Sequence, residues 1–319
     1  MLIWVYAELS QGRLDPTALE MLTKARELDG ELAAVALGAG ASDAAEVLGA
    51  HGAAKVYASD DPVYDDFVAQ PASYTMHRLI EENGPDLLLL STNYDSRDVA
   101  GRLSALTGAT LMSNAIDLVS ADVARAAIFG GTQFVDVKLE GSPRLVLVRP
   151  KSFEASEQDG AGAAEVVPVD VAVPDELRRA RRVERHEAAS SGPRLEEAPV
   201  VVAGGRGLGE SGNFELLDEL ARELDGAAVG ATRAVVDAGW VPYAYQIGQT
   251  GTTIKPNVYL AFGISGATQH VVGMKGAKKI VAVNKDEDAP IFGIADLGVV
   301  GDALKILPKL IEEVRARKG

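Results

Sequence analysis

The chain has 319 residues, 47% hydrophobic and 24% charged, with a formal net charge of -15. That length accommodates two domains of ordinary globular composition, and the acidic balance argues against nucleic acid as the main partner, because phosphate binding needs a basic face. The absence of cysteine excludes disulfides, thiolate catalysis, iron–sulfur clusters and cysteine zinc sites, and the four histidines (His51, His77, His186, His270) lack metal-ligand spacing, so no metal site is expected.

Residues 2–6 read as a first strand, entered without a basic segment, an apolar signal core or an Arg-rich presequence. No run approaches the ~18 apolar residues of a membrane helix. These features predict a soluble, cytoplasmic protein.

Asp15 and Pro16 predict the start of a helix that stops at Gly30, with Leu19, Leu22, Ala25 and Leu28 as its apolar stripe. Strands over 32–37, 55–58 and 86–91 alternate with helices over 41–48 and around 75–82. Such alternation implies a parallel sheet with helices on both faces.

The loop 91–98 (Ser-Thr-Asn-Tyr-Asp-Ser-Arg-Asp) follows the 86–91 strand and starts a helix over 99–106. Doubly wound sheets bind ligands at such a place. The loop has no glycine to admit phosphate, so it reads as a helix start capped by Ser96 or Asp95 that docks a partner. From Arg125 on, β-like segments over 126–129, 133–137 and 144–148 alternate with turns, an antiparallel extension of this domain. One more edge-like strand lies within 161–173.

The first domain spans 1–185, a linker 186–198 and a second domain 199–319, with the cut near 186. The basic cluster 178–182 reads as solvated linker or interdomain glue. The second domain opens with a strand over 199–203 and the turn Gly204-Gly205-Arg206-Gly207-Leu208-Gly209. A dinucleotide fingerprint would need glycine where Glu210 stands, so no standard NAD turn is present, although these glycines let backbone approach a ligand. An amphipathic helix over 213–224 and a strand over 227–229 follow. Thr232 then caps a helix over 233–238. Arg233, in its first turn, opposes the helix dipole; an anionic ligand or an ion pair to Asp237 would each explain it.

Residues 246–274 are the centre of this domain. Gly248-Gln249-Thr250-Gly251 and Gly263-Ile264-Ser265-Gly266 flank an apolar strand over 258–262, and Ser265 is the expected cap of the next helix. A strand, a Gly/Ser turn and a helix in succession aim unpaired backbone N–H groups at a phosphate. Strands over 279–283 and 297–300 and a helix over 303–314 complete the domain. The loops at Gly205, Thr232, Gly266, Asn284 and Asp302 all follow strands and gather at one sheet edge, where a long dinucleotide could lie. His270 alone is a packed structural residue or a cofactor contact, and Thr250 alone a turn hydroxyl or a contact; their company with the Gly turns favours the site.

Five pieces in order carry a resemblance. They are Gly205-Arg206-Gly207; Gly230-Ala231-Thr232-Arg233-Ala234 with Asp237-Ala238-Gly239; Gly248-Gln249-Thr250-Gly251; Gly263-Ile264-Ser265-Gly266-Ala267 with Gln269-His270; and Asn284-Lys285-Asp286 before Ala289-Pro290-Ile291-Phe292. With them the chain resembles the alpha subunits of electron-transfer flavoproteins. The resemblance implies an α/β fold of two domains: an N-terminal nucleotide-binding-like domain without nucleotide that packs on the beta subunit, and a C-terminal doubly wound parallel-sheet domain with FAD along its edge. It puts Arg206, Thr232, Arg233, Ile247, Gly248, Gln249, Thr250, Ser265, Gly266, Ala267, Thr268, Gln269, His270, Asn284 and Asp302 on FAD. Thr250 would lie near flavin N5, Arg233 over the ring, His270 near the pyrimidine-side carbonyl, and Asn284 and Asp302 at the adenosine end. Thr232 stands where Ser is common and Thr252 where Lys is frequent; neither change removes a required group.

The resemblance further implies an electron carrier for fatty acid β-oxidation. It would take electrons singly from acyl-CoA or other dehydrogenases through an anionic flavin semiquinone and pass them to a membrane quinone oxidoreductase or another acceptor, beside a beta subunit that binds AMP. Arg233, His270 and the helix N-terminus at Gly266 would supply the positive potential such a radical needs. No acid/base set for transforming a small molecule is evident. Two other readings stay open: a flavin oxidoreductase with its own small substrate, and an assembly protein that binds only an adenine nucleotide.

Overall fold

The computed structural model describes residues 1–131, 133–184 and 193–318. Thr132, the cut near 186 and the polar stretch 188–192 lie outside the described residues. The chain forms two compact units, Met1–Arg185 and His186–Gly319.

The first unit contains strands β1 (Leu2–Tyr6), β2 (Leu9–Ser10), β3 (Arg13–Leu14), β4 (Glu31–Leu37), β5 (Lys55–Ser59), β6 (Leu87–Ser91), β7 (Leu111–Ser120), β8 (Val123–Ile128), β9 (Gln133–Lys138), β10 (Arg144–Val148) and β11 (Glu165–Pro168). Its helices are α1 (Thr17–Ala25), α2 (Ala45–Ala50), α3 (Val63–Asp66), α4 (Gln70–Asn83) and α5 (Tyr94–Thr107). Nine strands form one sheet in the order β11-β5-β4-β1-β6-β10-β7-β8-β9, parallel from β11 to β7 and antiparallel from β7 to β9. The strands β2 and β3 make a separate hairpin. Leu87, Leu88, Leu89 and Leu90 are all buried, alternately joining the cores on the two faces of the sheet. Each such leucine contributes roughly 2 kcal/mol, which is why β6 reads as a continuous apolar run.

Several boundaries and one pairing differ from the sequence reading. The helix α1 stops at Ala25 and is followed by turns to Gly30, while Asp15 still accepts from the Thr17 amide at 2.8 Å. The cap of α5 is Asn93, whose side chain accepts from Ser96 N at 2.9 Å; Ser96 and Asp95 are already helical. The strand Arg144–Val148 is no part of the antiparallel extension. It inserts between β6 and β7, parallel to both, where its apolar side chains are buried on both faces. Its place in the extension is taken by β7, a long half-exposed strand with shifts of register.

The second unit contains β12 (Val200–Gly204), β13 (Ala227–Thr232), β14 (Gln246–Ile247), β15 (Val258–Phe262), β16 (Lys279–Asn284) and β17 (Leu297–Val300), with helices α6 (Glu215–Glu223), α7 (Arg233–Asp237), α8 (Thr268–Met274) and α9 (Ala303–Lys318). The sheet order is β14-β13-β12-β15-β16-β17, all parallel. The chain therefore winds outward from β12 in one direction, returns, and winds outward in the other from β15. That is the doubly wound order, with its switch point between β12 and β15. One core lies on each face of the sheet. Leu195 and Ala198, within the expected linker, are buried in one of them. Among the described residues no helix is long and apolar enough to cross a membrane.

Candidate functional site

Because all six strands of the second unit run in one direction, the turns that leave them share one edge. The turns fit against one another through glycine. A Cβ on Gly205 would come 2.5 Å from the carbonyl oxygen of Gly263, and one on Gly207 would come 2.6 Å from the Cα of Gly263. Gly207 N donates to the Gly263 carbonyl at 3.0 Å. The glycines read as room for a ligand thus serve a backbone-to-backbone contact at the switch point. Gly266, at φ +85°, lies against the backbone of Ile291 in the same way, with Ile291 N donating to the Ser265 carbonyl at 3.0 Å.

This packing delays α8. The expected cap Ser265 is two residues early; the helix starts at Thr268, and Ala267 holds the cap position without a side-chain bond. The backbone N–H groups of Ser265, Gly266 and Ala267 consequently have no acceptor among the described residues. Three neighbouring unpaired amides between a strand and a helix suit a phosphate oxygen.

Around this turn, Arg206, Arg233, Gln249, Thr250, Ser265, Ala267, Thr268 and Gln269 are exposed. Arg233 pairs with Asp237 at 3.1 Å across one turn of α7, so the ion-pair explanation for its position is realised. Thr232 holds the cap position of α7 in extended backbone, but its hydroxyl makes no capping bond. The Thr250 hydroxyl oxygen accepts from Gln246 Nε2 at 2.9 Å, which leaves its proton to donate outward, and the Tyr243 hydroxyl donates to the Thr250 carbonyl.

His270 differs from the expectation. It is buried, 6% exposed, with both ring nitrogens engaged. Nδ1 lies 3.0 Å from the Ile247 carbonyl, and Nε2 lies 2.7 Å from the Tyr259 hydroxyl. A carbonyl only accepts, so Nδ1 carries the proton, and the neutral ring then accepts from Tyr259 through Nε2. Burial pushes the imidazole down to about 4, so the ring is neutral at physiological pH. These contacts do not fit a cationic His270. Ile247 and Gly248 are buried beside it and contribute backbone.

At the other end of the edge, Asn284 donates to the Ile264 carbonyl at 2.9 Å and accepts from Asp286 N at 3.0 Å. Asp302 accepts from Leu304 N at 3.0 Å at the start of α9 and lies 3.3 Å from Lys285 Nζ. Both side chains therefore already hold loops in place. Tyr259, Gln246 and Tyr243 were not singled out from the sequence. Tyr259 is the lone hydroxyl in an apolar strand, and a buried phenol needs a partner; that was the available signal.

In the first unit, the loop at the end of β6 is tied down by the protein's own side chains. Asn93 donates to Asp15 at 2.7 Å, Ser96 donates to Glu8 at 2.5 Å, and Arg182 of the basic cluster pairs with Asp95 at 2.8 Å.

A family model described as "Electron transfer flavoprotein domain" matches residues 3–174, and one described as "Electron transfer flavoprotein FAD-binding domain" matches residues 194–275. The chain is 42% identical over 317 residues to the electron transfer flavoprotein subunit alpha of Mycobacterium leprae, covering 99% of this chain and 98% of that one. It is 37% identical over 316 residues to that of Bacillus subtilis, covering 98% and 96%. This chain belongs to the electron transfer flavoprotein alpha-subunit family.

The FAD-binding domain of this alpha-subunit family falls within the second unit, so the edge can be tested against FAD. It offers unpaired amides at 265–267 for phosphate oxygens, the exposed guanidinium groups of Arg206 and Arg233, and outward hydroxyls at Thr250, Ser265 and Thr268. Arginine suits a pyrophosphate or the face of a flat ring. This donor set fits the cofactor. The matched segment stops at 275, so Asn284 and Asp302 lie beyond it.

Proposed function

We propose that this protein is the FAD-carrying subunit of a two-subunit electron carrier, with the cofactor extended along the C-terminal edge of the second sheet. The observation that carries this reading is the meeting of the strand-end turns around the three unpaired amides of Ser265, Gly266 and Ala267. When bound, FAD supplies a ring that accepts and donates electrons, including one at a time; the residues around it hold it and set its surroundings. The amides and Arg206 take the phosphates. Thr250, its oxygen held by Gln246, would have its hydroxyl proton free for flavin N5. Arg233 would offer positive charge where negative charge accumulates on electron uptake, with Thr232, Gln249, Thr268 and Gln269 as further contacts to the cofactor and Asn284 and Asp302 toward its adenosine end.

The protein relays electrons and does not transform a substrate of its own. Acyl-CoA or other dehydrogenases are the donors and a membrane quinone oxidoreductase or another acceptor is the recipient. The net charge of -15 suits brief, salt-sensitive docking on basic patches. The first unit packs on a beta subunit that carries AMP and holds no nucleotide itself. Support for that docking comes from β9, the end strand of the sheet, exposed along its whole length, with Phe129 and Phe134 also exposed; an open edge of this kind invites a partner.

Co-expression with the beta subunit tests the reading. The expected product is a yellow complex whose released cofactor has the mass of FAD and which is reduced only when a dehydrogenase is added. A colourless complex that holds only an adenine nucleotide would sink the proposal. Turnover of a small donor without a dehydrogenase would replace it with a flavin oxidoreductase.

A further inference from the structure

We propose that Tyr259 is a positioning residue for this edge. Its buried hydroxyl holds His270 in the Nδ1–H form, and the ring in turn holds the Ile247 carbonyl, locking the Gln249–Thr250 turn onto α8.

Tyr259 lies in β15, within the hydrogen-bonded ladder between β12 and β16, and is fully buried. Its hydroxyl has one partner among the described residues, His270 Nε2 at 2.7 Å, and His270 Nδ1 has one, the Ile247 carbonyl at 3.0 Å. The ring centroids are 6.1 Å apart and tilted by 46°, so the rings meet through this hydrogen bond and do not stack. A protonated ring would present a second N–H to a phenol whose own proton has nowhere else to go. The arrangement is therefore satisfied by one proton distribution: Tyr O–H to Nε2, and Nδ1–H to Ile247 O.

The Ile247 carbonyl matters because β14 is so short. Its ladder to β13 has only two residue pairs, Ala231 with Gln246 and Thr232 with Ile247. The turn that follows needs further fastening, and α8 supplies it. Gln249 N donates to the Gln269 carbonyl at 2.7 Å, Ile254 N donates to the Gly273 carbonyl at 2.8 Å, and a Cβ on Gly273 would overlap the backbone of Gly248. The Tyr259–His270–Ile247 chain is the side-chain part of this joint and links it to the middle of the sheet. It holds Thr250 in register with the unpaired amides of Ser265–Ala267. The consequence for FAD rests on the function proposed above; the lock itself does not.

The test compares the wild type with Tyr259→Phe in the alpha–beta complex, with nitrogen-15 in the histidine rings and His270→Gln to assign the signal. In the wild type, His270 should show a slowly exchanging Nδ1–H and an unprotonated Nε2. Tyr259→Phe should lose that single form, and FAD should bind about tenfold more weakly, or ~1.4 kcal/mol. A wild-type ring protonated at Nε2 would overturn the proposal. So would a variant that keeps both the Nδ1–H signal and the FAD affinity. A colourless wild type with the Nδ1–H signal intact would remove the FAD reading and support the lock.

Discussion

Ser96 donates its hydroxyl to the carboxylate of Glu8 at 2.5 Å, joining the turn after β1 to the first turn of α5 across 88 positions of sequence. Burial pushes the Glu8 carboxyl up from 4.5 to about 7. The folded protein therefore retains a proton that the unfolded chain releases between those values. The stability from the protonated form is full below pH 4.5 and is lost as pH rises through 7. Each unit in that window is about 1.4 kcal/mol. Glu8→Gln should abolish this dependence, so its urea midpoint should gain on the wild type by the equivalent of roughly 2 kcal/mol between pH 5 and pH 8. Glu20, also pushed up to about 7 by burial, is present in both proteins and cancels. A difference that does not vary with pH would refute the assignment.

Asn93 is the hub of the same corner, since it caps α5 through Ser96 N and donates to Asp15. Asn93→Ala should lower the stability of the first unit by about 1–2 kcal/mol. Asn93→Asp keeps the cap but sets a third carboxylate beside Asp15 and Glu8, so its deficit should widen as pH rises. Chemical denaturation at two pH values separates the two effects.

Gly266→Ala tests the contact at the cofactor edge. The residue sits at φ +85° and its added Cβ would overlap the backbone of Ile291. The variant should lose roughly 2 kcal/mol or more and much of its FAD. Gly293→Ala, where nothing lies within 4 Å of the added atom, is the control and should match the wild type in both measurements.

Arg233→Ala separates charge from scaffolding. The exposed pair with Asp237 spans one helical turn, and such pairs contribute at most about 0.5 kcal/mol. Stability and FAD content should hold, while the potential for uptake of the first electron falls by on the order of 60 mV, or ~1.4 kcal/mol. Stepwise reduction followed in the visible spectrum reads this directly, and an unaltered potential would take Arg233 out of the mechanism.

The sequence spoke clearly where a physical requirement is local. The run Leu87–Leu90 read as a segment buried on both faces, and the strand–turn repeats of the second unit named the edge along which Thr232, Gly266 and Asn284 lie. It was silent where the decisive partner is distant. Arg144–Val148 carries nothing that distinguishes a hairpin strand from one slipped between β6 and β7. The strand Leu111–Ser120 alternates poorly because its register shifts and Asn114 sits at φ +60°.

The site shows the same division. Glycine at 205, 207 and 263 announced a close approach, but not that the approaching group is another turn of the same chain. His270 announced polarity in an apolar helix. The partner that engages its Nε2 is Tyr259, eleven positions earlier, whose hydroxyl no pattern of spacing connects to it.

Leu195 and Ala198 are seated in one core of the second unit, ahead of its first strand. Anyone expressing the FAD-binding half alone should therefore begin the gene fragment upstream of residue 194. A fragment started at Pro199 would bare an apolar socket on the sheet, and would be expected to clump before its ability to hold FAD could be assayed.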